Sequence, residues 1–228
     1  KRQILVFGGS GLLGWHCYDF LRHKYHVIGT YKNNYLPNEN SIKFNALDGI
    51  ISIEKLLQCY KPDIIINALA FVTVDGCEKN PELATRLNVT FVRDLVTAMK
   101  RNGLSSSHLI QISSDSVYGQ CKSGVNVPWS ENDPVNPMSF YALTKLKSER
   151  ESLNHQGNLS ILRTAFYGVN PNSKKSLLSW IIDNAVNGRE MDGWENVYFS
   201  PVSAFQLVSV INSLIEKSIS GIYNVSSI

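Results

Sequence analysis

Three observations predict a doubly wound α/β chain built on a parallel sheet. Strand-like and helix-like segments alternate from the first residues onward, the strand-like runs are almost continuously apolar, and a glycine-rich turn follows the first of them. Continuous apolar runs suit strands covered on both faces, and parallel neighbours need a long crossover between them. Strands are expected over 4–7, 27–31, 42–44, 64–67, 109–113 and 160–162, each bounded by Gly, Pro, Asn or Asp. Helices are expected over 12–23, 53–60, 82–101 and 139–153. In the third, Leu83, Leu87, Phe91, Leu95 and Met99 recur every four residues as a long apolar stripe. After Arg163 the rhythm changes. A loop over 170–176, a helix over 177–187, a strand over 197–199, a helix over 203–217 and a last strand over 222–225 are expected to form a small lobe over the open edge of the sheet.

The 228 residues are 43% hydrophobic with a net charge of only +3, which fits one domain, or one domain plus a small lobe, and excludes disorder. No apolar run approaches the ~20 residues of a membrane helix. The chain opens Lys1-Arg2-Gln3 and enters a strand at once, so no signal peptide is expected. Cys17, Cys59, Cys77 and Cys121 lie far apart without metal-type spacing. They read as free thiols in a reducing, cytoplasmic setting, with no metal site. Basic residues form no block, which argues against a nucleic-acid stripe and points weakly to a small phosphorylated ligand.

Gly8, Gly11 and Gly14 follow the first strand and open the first helix. In that context a G-x-x-G-x-x-G turn predicts a Rossmann-like dinucleotide site. Gly8 serves the tight turn, Gly11 the approach of backbone to a pyrophosphate, and Gly14 close packing, with Ser10 and Leu12 completing the loop. The second strand ends Thr30-Tyr31-Lys32 without the acid that usually holds a ribose 2′-OH. Lys32, with the Thr30 or Ser10 hydroxyl, can instead meet a 2′-phosphate, so NADP(H) is favoured and NAD(H) stays open. Asp48 is a candidate for the adenine or a plain helix cap. Residues 1–165 are expected to form the NADP-binding domain and 166–228 a partial substrate lobe.

Tyr141 and Lys145 lie four residues apart on one helix face, where the ammonium is expected to lower the phenol pKa and reach a nicotinamide ribose. Ser113 and Ser114 end a sheet strand, the place where open α/β sheets bind ligands, or else close a turn. Ser114 can hydrogen-bond a substrate carbonyl while Tyr141 transfers the proton. Asn88, on the apolar face of the long helix, needs partners if buried. It can fix backbone, support a water relay behind Lys145, or serve structure alone.

These residues resemble the extended short-chain dehydrogenases/reductases, which pair this glycine loop with an Asn, Ser/Thr, Tyr and Lys tetrad. The runs Lys61-Pro62-Asp63 through Asn67-Ala68-Leu69-Ala70 to Thr73-Val74-Asp75 and Glu78, Ser113 to Gly119, and Pro137 through Tyr141 and Lys145 to Glu149 are similar to blocks of the dTDP-4-dehydrorhamnose reductases. The resemblance implies NADPH-dependent reduction of a nucleotide-linked 4-keto-6-deoxy sugar. It puts Ala68 beside the cofactor, and Thr73, Asp75, Ser114 and Asp115 near the substrate. Ser116 stands where related dehydratases carry Glu, which disfavours elimination. Phe166 replaces a common Trp on the substrate side, and relatives continue beyond the last strand with at least one further helix. Two alternatives remain: a nucleotide-sugar 4-epimerase, or a catalytically quiet NADP-binding subunit like the methionine adenosyltransferase β subunit. Some relatives dimerise through the block around Glu78, so a homodimer is conceivable, although Glu78 reads more simply as a solvated helix acid.

Overall fold

Along β1 (Gln3–Phe7), Ile4 and Val6 pack on one side of the strand and Leu5 and Phe7 on the other, all fully buried. That alternation is repeated in β4 (Ile64–Asn67) and in β5 (His108–Ile112), and it explains why these strands read as unbroken apolar runs. The computed structural model describes residues 1–34, 40–120, 128–169, 176–193 and 199–227.

Seven strands form one parallel sheet. With β2 (His26–Tyr31), β3 (Ser41–Lys43), β6 (Leu159–Thr164) and β9 (Gly221–Val225), the order is β3-β2-β1-β4-β5-β6-β9. Ile4 is in register with Val27 on one side and Ile64 on the other. The chain therefore leaves β1 in one direction and later returns to its opposite side, which creates a topological switch point between β1 and β4.

Helices cover both faces. On one, α1 (Leu12–Leu21) contributes Leu13, Cys17 and Leu21, and α8 (Ala204–Lys217) contributes Leu207, Val208, Ile211 and Ile215. On the other, α2 (Ile50–Tyr60) and α5 (Phe91–Arg101) bury Ile53, Leu57, Phe91, Leu95 and Met99. The tallest aromatic contact there is Phe7 edge-on to Phe91, with ring centres 5.1 Å apart.

The last two elements differ from expectation. α8 and β9 do not sit in a lobe over the sheet edge: β9 pairs with β6 and extends the sheet, while α8 packs beside α1. The reason is visible in α8, where Leu207, Ile211 and Ile215 recur at helical spacing and make a stripe that a doubly wound sheet can cover. A capping box of Ser203 with Gln206 starts that helix. What stands apart from the sheet is the small pair β7 (Phe166–Tyr167) and β8 (Val202–Ser203) with α7 (Leu177–Val186). The strand expected over 197–199 and the loop expected over 170–176 fall largely outside the described residues, as does Cys121.

A further difference lies near the long helix. The run expected over 82–101 is α4 (Pro81–Thr85), a π turn (Arg86–Thr90) and then α5. The wider turn rotates the buried face, so Ala84 and Asn88 point inward while Leu83 and Leu87 are only half-buried. Residues 74–79 form a short helix, α3 (Val74–Lys79), which carries Asp75 and Glu78. Among the described residues no helix is long and apolar enough to cross a membrane.

At the opposite end of the strands from the glycine loop, His108 is buried and hydrogen-bonds Ser160, whose hydroxyl donates to Ile219 O. Burial first, then the neighbouring His155 and Arg2 charges, lower its pKa to about 4. Burial lowers His155 as well. Between about pH 4 and 6.5 the unfolded chain thus binds more protons than the native one, so stability falls as pH drops through that window. The thermal midpoint is expected to decline between pH 7 and 4.5, with a shallower decline in His108→Asn; equal slopes in both proteins would contradict this assignment.

Candidate functional site

The site lies where the C-terminal ends of β1, β4 and β5 meet, beside the switch point. Gly8 has φ 78°, a conformation L side chains rarely adopt, and a Cβ there would lie 2.9 Å from the Leu69 Cα. A Cβ at Gly14 would stand 2.1 Å from the Gly8 carbonyl oxygen. The first turn of α1 therefore packs directly on the β1 loop, and the β1 loop directly on the end of β4. Gly11 has ordinary extended dihedrals and is the N-cap of α1, with its own N–H donating to Gly8 O at 2.8 Å. No side chain caps α1, whereas Ser139, Ser176 and Ser203 cap α6 (Phe140–Ser152), α7 and α8 in turn. A bare backbone cradle at an uncapped helix N-terminus fits a pyrophosphate. Leu12 is half-buried at the first position of α1, and Ala68 follows β4, its N–H held by Phe7 O.

Thr30 corrects an expectation. It is 1% exposed, and its hydroxyl accepts from the Gly8 N–H at 3.1 Å. Its oxygen braces the glycine loop from β2 instead of facing a 2′-phosphate. Lys32 is exposed just beyond the strand end. Asp48 ends a 3-10 turn (Ala46–Asp48), where its carboxylate accepts from the Asn45 amide at 2.7 Å; Gly49, not Asp48, caps α2.

The catalytic candidates come together. Ser139 caps α6, accepting from Ala142 N–H, and the Glu78 carboxylate accepts from Phe140 N–H at 2.7 Å. Glu78 is thus the solvated helix acid expected, and in addition a tie between α3 and the start of α6. With α6 anchored, Tyr141 is half-buried and hydrogen-bonds the Ser114 hydroxyl. Ser114 caps a 3-10 turn (Asp115–Tyr118) and also contacts the Ser116 hydroxyl at 2.6 Å and the Asp115 carboxylate at 3.2 Å. Lys145, 3% exposed, donates to Ile112 O at 2.6 Å. That bond uses one of its three N–H donors.

The electrostatics depart from the sequence reading. Burial pushes the Tyr141 phenol up to about 12; Asp115 and Cys77 add to this, and only the Ser114 hydrogen bond opposes it. The Lys145 ammonium, expected to lower the phenol, donates to the β5 carbonyl of Ile112. The same burial brings Lys145 down to about 8, with Glu149 pulling the other way. Near pH 7 the phenol is therefore protonated and the ammonium mostly charged. Such a pair is set to give a proton to a strongly basic alkoxide, not to remove one. Burial also raises the Asp115 carboxyl.

Asn88, held inward by the π turn, accepts from Phe71 N–H at 2.7 Å and donates to Phe71 O at 3.1 Å and to the Thr144 hydroxyl at 2.9 Å. These bonds realise the backbone-fixing reading. Asn88 clamps the β4–α3 loop to α6, one residue from Lys145. Downstream in that loop Thr73 and Asp75 are exposed at the start of α3. Gly76 is needed there: a Cβ would fall 2.2 Å from the Thr73 hydroxyl. Phe166, expected on the substrate side, is half-buried in β7 and packs against the core cluster that α1 and α8 share.

A doubly wound sheet with a glycine cradle after β1 and a Ser-Tyr-Lys set between β5 and α6 defines a short-chain dehydrogenase/reductase type of Rossmann protein. The chain belongs to the RmlD substrate binding domain family, which matches residues 2–227. It is 30% identical over 231 residues to the methionine adenosyltransferase 2 subunit beta of Xenopus tropicalis, an alignment covering 98% of this chain and 66% of that protein. The chain thus spans just under two thirds of the length of that curated relative. Among solved structures, a hypothetical dTDP-4-dehydrorhamnose reductase from Sulfolobus tokodaii superposes with a TM-score of 0.85 at 30% identity, covering 100% of this chain and 77% of that one. The dTDP-4-dehydrorhamnose reductase of Bacillus anthracis, solved in complex with NADP, shares the fold with a TM-score of 0.84 at 24% identity, covering 100% and 75%.

Proposed function

We propose that this chain is the core of an NADPH-dependent reductase acting on the carbonyl of a nucleotide-linked 4-keto-6-deoxy sugar. What supports this reading is the placement of Tyr141 beside Ser114 at the strand ends, with burial keeping the phenol in its protonated form. The backbone of Gly8 to Leu12 and Ala68 would hold the dinucleotide, with Ser10 lining the loop and Lys32 meeting a 2′-phosphate. When bound, the reduced nicotinamide supplies the hydride that reaches C4 of the sugar. Ser114 orients the carbonyl oxygen, and Tyr141 gives its proton to the oxygen as negative charge develops there. Lys145 keeps a positive charge beside the phenolate left behind and can bond the ribose. Thr73 and Asp75 border the substrate from the β4–α3 loop, and residues 166–202 contribute the substrate lobe.

Adding a dTDP-4-keto-6-deoxyhexose to the chain with NADPH should lower the nicotinamide absorbance in proportion to sugar consumed. A second reading is supported by the 30% identity to a methionine adenosyltransferase regulatory subunit. In that case NADPH binds without turnover of any nucleotide 4-keto sugar. Product without net NADPH loss would instead mean epimerisation. For the cofactor, Lys32→Ala is expected to weaken NADPH by about tenfold or more, the scale of one charge-assisted contact, with little effect on NADH. Equal losses in fluorescence titrations would remove the 2′-phosphate assignment.

A further inference from the structure

Three residues on α6, Tyr141, Lys145 and Glu149, follow one another at four-residue spacing and so share one helix face. Each meets one of three consecutive residues at the end of β5. Lys145 donates to Ile112 O, the Ser113 hydroxyl donates to the Glu149 carboxylate, and the Ser114 hydroxyl bonds Tyr141. The proposed reaction uses the first and last of the helix residues and the last of the strand residues. It leaves Glu149 and Ser113 without a task.

Glu149 is 2% exposed and is gripped from behind by Arg163 of β6. The guanidinium Nε lies 3.1 Å from Oε1, and NH2 lies 2.8 Å from Oε2. Register pairing of Ile112 with Leu162 brings Arg163 alongside Ser113. Arg163 NH1 donates in turn to the Tyr118 hydroxyl at 2.9 Å, and Tyr118 donates to the Asn224 side chain at 2.8 Å. The carboxylate is therefore fixed at both oxygens, one turn along the helix from Lys145.

We propose that Glu149 is a positioning residue of the reductive site: anchored by Arg163, its carboxylate holds Ser113, and thereby sets the register of Ser114 against Tyr141, while opposing the charge of buried Lys145. This inference rests on the reductase reading for its kinetic consequences, but its electrostatic consequence needs no substrate. The charged and titratable groups around Lys145 are Tyr141 and Glu149 on its own helix, Arg163 from β6 beyond Glu149, Asp115 after β5, and Cys77 of α3 on the far side of Tyr141. Of these, Glu149 is the one that acts on the ammonium, and it favours the charged form against the effect of burial.

The test follows Lys145 directly, by NMR titration of lysine side chains labelled at Cε, its signal identified by disappearance in Lys145→Met. Glu149→Gln is expected to lower the Lys145 midpoint by about one unit, tenfold in its protonation ratio. Glu149→Asp, which keeps the charge but shortens the reach to Ser113, should retain most of the midpoint yet lose kcat. Ser113→Ala, which removes one hydroxyl and no charge, is expected to lower kcat about fivefold or more at unchanged NADPH affinity. It carries the test if Glu149→Gln does not fold. A folded Glu149→Gln with an unmoved Lys145 midpoint, or Ser113→Ala with wild-type kcat, overturns the proposal. Absence of turnover in the unmutated protein would overturn the reductase reading instead, and the Lys145 titration would still decide the role of Glu149.

Discussion

Tyr141→Phe is expected to reduce the rate of NADPH-dependent carbonyl reduction by about 10²–10⁴-fold, the usual contribution of a positioned general acid. NADPH affinity should stay within about threefold, because the phenol oxygen engages Ser114 and the reacting carbonyl, while the dinucleotide rests on the glycine loop. The fold should also survive. Ser114 keeps its contacts to Ser116 and Asp115 when the phenol oxygen is gone. The pH dependence separates the roles further. With the phenol near 12 and Lys145 near 8, activity should decline above about pH 8 as the ammonium loses its proton, well before Tyr141 titrates. Steady-state rates between pH 6 and 10 check both points. A Phe variant that keeps more than about a third of the rate would remove Tyr141 as the acid.

Arg163→Met is expected to be the most destabilising single change, lowering the unfolding free energy by about 3–5 kcal/mol. The substitution leaves the Glu149 carboxylate buried with only Ser113 to answer it, and takes the donor from the Tyr118 hydroxyl. It also removes the guanidinium from over the Tyr118 ring, which on its other contact stacks on Trp129 at 5.2 Å between ring centres. For a domain of this size the thermal midpoint should drop by roughly 6–20 °C. Combining Arg163→Met with Glu149→Leu should recover part of the loss, because the uncompensated charge then disappears together with its partner. Calorimetry of the two variants decides the matter. A double variant no more stable than Arg163→Met would mean that the pair contributes more than relief of a buried charge.

The parts of this fold that were legible in the sequence are those governed by short-range periodicity. β1, β4 and β5 announce themselves because each buries both faces, and the glycine turn because Gly8 and Gly14 have no room for a side chain. The meeting of Ser114, Tyr141 and Lys145 was legible from residue type and spacing. The duties of their neighbours were not. Thr30 reads as a strand-end hydroxyl until the Gly8 N–H is seen pointing at it, and Glu78, a surface acid as expected, gives no sequence sign of the Phe140 N–H it also holds. Asn88 was placed on the inward face by its position, but its partners, Phe71 and Thr144, lie seventeen and fifty-six residues away, and the π turn that carries it leaves no mark in a four-residue apolar repeat. The placement of β9 depended on which strand it would pair with, a choice made between segments some sixty residues apart, Ser160 facing Gly221.

The most direct measurement is the fate of a label: NADPH carrying deuterium at the transferable C4 position, incubated with the chain and a dTDP-4-keto-6-deoxyhexose, with the sugar product read by mass spectrometry and NMR. The account predicts one deuterium at sugar C4 for each NADPH oxidised, abolished by Tyr141→Phe. Saturating NADPH binding with no deuterium in any sugar would contradict it and leave the glycine cradle serving a partner-regulating protein.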